Sequence, residues 1–305
     1  MDKKDFKQLV DLAMQLPGRA NMRQVVEKEI LHYDIFHALD KGSLLKNLVF
    51  QGGTSLRLCH GSNRFSEDLD FAAGKNFNAD GMHEVKSCIE KYLGERYGLK
   101  VEVKEPKDAK FDAVKVDKWQ VSVETSPAQR DMPRQRIKIE VAGVPAYTKE
   151  LTPLRRNYDF LQGYDSLLVN TESLSEVMAD KILAFPVAKN IRHRDIWDLA
   201  WLSQQGATLL PELVKAKIGD YRVQDYPEQL ATALQNLPEV VRSKAFHDQM
   251  TRFIDADTIG RTLAKPEFSD YLIRTVSGLF TEMQDHLSRA PTPDASDEGA
   301  MPFKM

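Results

Sequence analysis

A chain of 305 residues, 42% hydrophobic and 29% charged, is long enough for one large domain or two modest ones, and its formal net charge of -3 excludes a globally basic nucleic-acid binder. Two cysteines, Cys59 and Cys88, without metal-type spacing exclude a disulfide scaffold and a zinc site and fit a reducing cytoplasm. No run is apolar enough to span a bilayer, and the opening MDKKDFKQLV lacks the apolar core of a signal peptide.

In chain order, residues 4–16 read as a short amphipathic helix ending near Pro17-Gly18. From Asn21 apolar residues recur at helical spacing (Met22, Val26, Ile30, Tyr33, Phe36), with Asn21 as cap and Gly42 as stop. NLVFQGG then reads as a strand, TSLRLCHG as a short helix closed by Gly61, and EDLDFAA as a second strand. Another helix follows in ADGMHEVKSCIEKYLGERYG. Three segments alternate with period two: LKVEVKE, WQVSVET and RQRIKIEVAG. Past residue 172 the texture turns helical. TESLSEVMADKILAFPV is capped by Thr171 or Ser173 and should end or kink at Pro186; HRDIWDLAWLSQQG is the next helix, with more between 211 and 289. The organisation expected is an α/β core with N-terminal helices over 1–170, a helical domain over 171–289, and a Pro-rich, acidic disordered tail over 290–305.

Residues i and i+2 of a strand share a face, so Asp68 and Asp70 project together while Leu69 and Phe71 turn inward. Adjacent carboxylates repel unless a cation sits between them, and oxygen-only ligands favour Mg²⁺ or Mn²⁺. A solvated strand end is the plainer account of a lone D-x-D. The preceding strand, Gly52-Gly53-Thr54-Ser55 and helix start form an anion site of backbone N–H groups and hydroxyls. Cradle and acids together suit a nucleoside triphosphate (NTP). Two-metal phosphoryl transfer needs a third acid. Glu140 in RIKIEV is the candidate, with Asp117 and Glu124 competing on neighbouring strands. Lys181 lies among apolar helix neighbours. Asp195 and Asp198 share one face of the next helix, beside Arg192, His193 and Arg194. Ordinary salt bridges are one account of these charges. The other has Lys181 neutralise a triphosphate and Asp195 orient it or a basic residue.

The ordered motifs GGTSL…RFSEDLDF, IKIEV and LSEVMADKILA…RHRDIWDL, with the lead-in VVEKEILHYDIFHAL, resemble AbiEii-type (MenT-like) nucleotidyltransferase toxins over roughly residues 20–205. These belong to the DNA polymerase β-like nucleotidyltransferase superfamily. The resemblance implies an α+β fold: a mixed sheet flanked by helices, then a C-terminal helical bundle. It also implies phosphate contacts at Gly53, Thr54 and Ser55, and an R-x-S motif, Arg64 and Ser66, whose arginine contacts nucleotide. Asp68, Asp70 and Glu140 would hold metal, with Lys181 and Asp195 as the later catalytic motifs and Asp198 their companion. The arginine that follows the lysine helix in the family falls here at Lys189 or Arg192.

The expected activity is Mg²⁺-dependent NMP transfer from an NTP by the toxin of a toxin–antitoxin or phage-defence system. The acceptor implied by some relatives is a tRNA 3′ end, and a cognate antitoxin is an implied partner. An RNA path would use Arg130, Arg134, Arg136 and Lys138, Arg155 and Arg156, and Arg192 with Arg194. Three alternatives remain: transfer to a protein hydroxyl, a non-catalytic nucleotide- or antitoxin-binding module, and a sugar transferase, which the Gly-Gly turn and lysine helix fit poorly.

Overall fold

A computed structural model describes residues 5–77, 82–106, 114–127, 133–164 and 166–289. The expected tail over 290–305 and Arg130 of the expected RNA path lie outside the described residues. Strands β1 (Val49–Gln51), β2 (Leu69–Ala72), β3 (Val101–Lys104), β4 (Val116–Val123), β5 (Gln135–Ala142), β6 (Glu150–Pro153) and β7 (Leu168–Thr171) form one mixed sheet of seven strands, order β3-β4-β5-β2-β1-β7-β6. Helices α1 (Phe6–Met14), α2 (Arg23–Lys41), α3 (Gly52–Leu58) and α4 (Val85–Tyr97) accompany the sheet. Then come α5 (Leu174–Val187), α6 (His193–Gln204), α7 (Pro211–Tyr221), α8 (Tyr226–Arg242), α9 (Lys244–Met250), α10 (Ala256–Arg261) and α11 (Pro266–Ser288). The α+β class expected from the sequence is the observed one.

Alternation explains the sheet. In β4 and β5, Trp119, Val121, Val123, Ile137, Ile139 and Val141 turn to one face and join a core with α1, α2 and α4. The intervening Lys118, Arg136 and Lys138 stay exposed on the other face. Helix α2 is buried nearly all round, so its polar residues need partners. Glu29 receives a forked bond from Arg57 (2.7 and 3.1 Å). Asp34 pairs with Arg96 at 3.0 Å and accepts from Tyr97 and Tyr164 hydroxyls. His32 Nε2 meets the Glu67 carbonyl oxygen at 2.9 Å.

A second core unites α5–α9 and α11. Each core borrows from across the boundary: Leu56 of α3 packs in the helical core, and Phe253 packs in the sheet core. The Phe65 N–H donates to the Phe253 carbonyl (2.8 Å), fastening the loop before the acids to the helical half.

Some boundaries differ from expectation. Helix α2 is preceded by Met22 rather than capped by Asn21, while Gly42 does close it. Ser173 caps α5, whose last residue, Val187, follows Pro186 directly. Strands β6 and β7 were not read from the sequence. Each is four residues long and lacks clean alternation, and β6 ends the sheet.

Lys217 of α7 is 1% exposed and reaches Asp180 at 2.7 Å, Glu176 at 2.8 Å and Glu172 at 3.4 Å. Burial would drive its proton off, but the charge of Asp180 and hydrogen bonds to Asp180 and Glu176 hold it on. Burial, then the charge of Asp180, pushes Glu172 well above the carboxylate range. Glu176 also accepts the backbone N–H groups of Tyr147 (2.8 Å) and Thr148 (2.6 Å). This ion cluster pins α7 to α5 and to the end of β7. Lys217→Met should strand buried carboxylates and cost about 3–5 kcal/mol, read as a lower urea midpoint.

Candidate active site

Two adjacent glycines are required for two different reasons. Gly52 has φ +77°, and a Cβ there would lie 2.8 Å from Asp70 Oδ2. A Cβ on Gly53 would overlap Arg64 Nη2. The chain thus passes from β1 directly into α3 with the acid against one glycine and the guanidinium against the next. Thr54 donates its hydroxyl to the Asp68 carbonyl, and Ser55 donates to the Gly52 carbonyl at 2.9 Å. Both hydroxyls are buried and spent inside the protein, holding the turn onto the acid-bearing segment.

Register brings the acids together. Gln51 pairs with Asp70 across β1 and β2, and Asp70 pairs with Glu140 across parallel β2 and β5. Asp68 precedes the first residue of β2 and accepts the Lys138 backbone N–H at 3.1 Å. Burial, then the charges of Glu140 and Asp68, push the Asp70 carboxyl up to about 7. Glu140 lies 3.2 Å from Lys118 Nζ, and Asp68 lies 3.8 Å from Lys138 Nζ. Among the described residues, no group of three or more His, Cys, Asp or Glu is arranged to hold a metal ion. The donor set nevertheless fits one: oxygen ligands, an acid strained by like charge, and lysines already drawn to the other two. Asp117 and Glu124 are placed elsewhere. Asp117 is buried beside Lys115 (3.3 Å), and Glu124 pairs with Arg134 (3.4 Å).

The opposite wall comes from the helical half. Lys181 Nζ lies 2.7 Å from Asp198 and 2.9 Å from Asp195. Arg64 grips Asp198 through two parallel bonds of 2.7 and 2.6 Å and donates to the Phe65 carbonyl at 2.7 Å. Arg192 closes the chain on Asp195. Burial alone would raise both aspartates. Arg64 with Lys181 holds Asp198, and Lys181 with Arg192 holds Asp195, below the carboxylate range.

A cleft of about 480 Å³ runs between the walls, lined by Gly52, Asp70 and Glu140 on one side and Lys181 and Arg192 on the other. Val116, Asp180, Tyr221 and Val223 also line it. Of the residues expected from sequence, Gly52, Asp70, Glu140 and Lys181 line this cleft, with Asp68 close enough to act on Asp70. Gly53, Thr54, Ser55, Arg64, Ser66 and Asp195 are not among its lining residues. Arg64 is 2% exposed and committed to Asp198. Lys217 escaped sequence reasoning altogether, although the Val214–Lys217–Tyr221 spacing places a lysine within an apolar helical stripe.

The sequence matches the family model "Nucleotidyl transferase AbiEii toxin, Type IV TA system" over residues 34–274. No curated protein matches it. Among solved structures the fold is similar to MenT4, a nucleotidyltransferase toxin from Mycobacterium tuberculosis H37Rv: TM-score 0.60, 21% identity, 92% of each chain covered. A weaker likeness extends to an H. pylori protein assigned as a nucleotidyltransferase (TM-score 0.49, 21% identity, 88% of this chain and 99% of that one).

The raised Asp70 pKa has a defined sign. Its folded value of about 7 lies above the ordinary 3.8, so its stabilising contribution is present below about pH 4 and is lost as pH rises through 7. In chelator, Asp70→Asn should therefore be more stable than wild type at pH 8, by about 1–2 kcal/mol. The two should converge towards pH 4, and added Mn²⁺ should raise the Tm of wild type only.

Proposed function

Because the chain belongs to the AbiEii nucleotidyl transferase toxin family of type IV toxin–antitoxin systems, we propose that its cleft takes an NTP with Mg²⁺ or Mn²⁺ and transfers NMP to an RNA 3′ hydroxyl, with a tRNA 3′ end as the acceptor. One observation carries this reading. Carboxylates on neighbouring strands face two cations across a cleft, with a glycine turn at its edge. A cation-bound triphosphate needs those three elements.

Asp68, Asp70 and Glu140 would hold the divalent cation, which when bound polarises phosphoryl oxygens and activates an oxygen nucleophile. The chain's own residues do the rest. Backbone N–H groups at the Gly52–Gly53 turn orient the triphosphate. Lys181 and Arg192 set positive charge against the departing pyrophosphate, and Asp195 and Asp198 fix the lysine in place. Arg64 acts through Asp198 rather than on nucleotide. Ser66 lies beside the Arg64 guanidinium at Gly53 and belongs to the same support. In the transfer the acceptor oxygen bonds the α-phosphorus and the bridge to the β-phosphate breaks. Pyrophosphate leaves with that bridging oxygen, and Glu140 takes the hydroxyl proton.

With labelled NTP, Asp70→Ala and Lys181→Ala should each lower transfer at least about 100-fold, with circular dichroism unchanged for Asp70→Ala. Undiminished transfer by Asp70→Ala refutes the metal assignment. Label in RNA supports the stated acceptor, and label only in protein replaces it with transfer to a protein hydroxyl.

A further inference from the structure

The sheet face that carries the acids continues onto β5, β4 and β3. Register defines what stands on it. Lys118 is opposite Glu140, and Gln120 lies between Lys138 and Lys104. Ser122 lies between Arg136 and Glu102. Lys104, Lys118, Arg136 and Lys138 are exposed. Among the described residues, Lys104 and Arg136 pair with no carboxylate, whereas Glu102 is answered by Arg134 at 3.4 Å. Successive same-face positions are about 7 Å apart along a strand, and neighbouring strands about 5 Å apart. Cations at this pitch lead directly away from Glu140.

The two lysines nearest the centre have a second partner. Lys118 holds Glu140 at 3.2 Å and Lys138 reaches Asp68 at 3.8 Å, with the lysine side chains 58% and 54% exposed. A divalent cation on those carboxylates takes over the charge that the lysines now balance. The same face, acidic at its end without the ion, then presents Lys104, Lys118, Arg136 and Lys138 with no uncompensated acid beside them. Charge complementarity of that face selects a polyanion.

Resting on the nucleotidyltransferase reading above, we infer that Lys118 and Lys138 are exchange residues: they hold Glu140 and Asp68 in the metal-free protein and, once the cation binds, grip backbone phosphates of a single-stranded RNA 3′ segment lying along β5–β3. The acceptor strand and the cation therefore bind with positive coupling, each strengthening the other by the same factor. Neither lysine touches the reacting atoms. Both position the acceptor.

The test uses the full chain, wild type and Lys118→Ala/Lys138→Ala, with two probes: Mn²⁺ alone, and a short single-stranded RNA ending in CCA with unreactive Ca²⁺. Mn²⁺ alone, followed by paramagnetic resonance, should bind the variant about two- to fivefold tighter per lysine removed, because a competing cation has gone. RNA with Ca²⁺ should bind the variant more weakly. Its plot of log affinity against log salt should be shallower by about 1.4, or 0.7 per lost phosphate contact. In chelator the two slopes should coincide. Lys118→Arg/Lys138→Arg should restore the slope, which a merely structural role would not do. Equal slopes in Ca²⁺, or Mn²⁺ binding weakened in the variant, overturns the inference. So does equal transfer to a protein acceptor by both proteins, which leaves nucleotidyl transfer itself standing. A wild type that neither binds Mn²⁺ nor transfers from any NTP removes both.

Discussion

The architecture turns on a buried chain of charge: Arg64 forked onto Asp198, Asp198 and Asp195 sharing Lys181, and Arg192 closing the end. Arg64 comes from the loop between α3 and β2, while the other residues come from α5, α6 and the turn between them. Removing Asp198 would leave the buried Arg64 guanidinium without a carboxylate and Lys181 with one acid instead of two, which is far costlier than losing a surface ion pair. The chain therefore works as a rivet between the sheet half and the helical half. It also fixes Lys181 in the wall of the cleft that Asp70 and Glu140 line.

The rivet explains the glycines better than phosphate binding alone does. Gly53 lets the Arg64 guanidinium pass against the backbone, and Gly52 lets Asp70 stand against the turn. Thr54 and Ser55 spend their hydroxyls on the carbonyls of Asp68 and Gly52. The GGTS stretch is thus a packing device first. Its backbone N–H groups are what remain for an anion. Tension is left in the carboxyl cluster: burial, then the charges of Glu140 and Asp68 facing it, push the Asp70 carboxyl up to about 7. A site strained in this way gains affinity for the ion that relieves the strain.

Much of this was legible in the sequence because period-two alternation and helix caps are local signals. RQRIKIEVAG reads as a strand with Glu140 on the polar face, and β5 runs Gln135–Ala142. Ser173 and Gly42 mark helix ends in the places their chemistry favours. What stayed hidden is set by tertiary pairing. Nothing local distinguishes Glu140 from Glu124. Only the parallel register of β2 with β5 puts the first beside Asp70, while Glu124 goes to Arg134. The family resemblance implies a nucleotide contact for Arg64; its bond to Asp198, 134 residues away, is not visible in the sequence. The lysine cluster of α7 needs Glu172, just past β7, and two acids of α5, which a linear reading cannot assemble.

The exchange of Phe253 and Leu56 between the two apolar cores bears on how the molecule comes into being. During synthesis the sheet half emerges first, yet its core lacks an aromatic side chain that is translated far later. Until that ring arrives, the loop bearing Arg64 has no Phe253 carbonyl to tie it down. A chain that stops short of Phe253 thus leaves the sheet core without that ring and the Arg64-bearing loop without that tie.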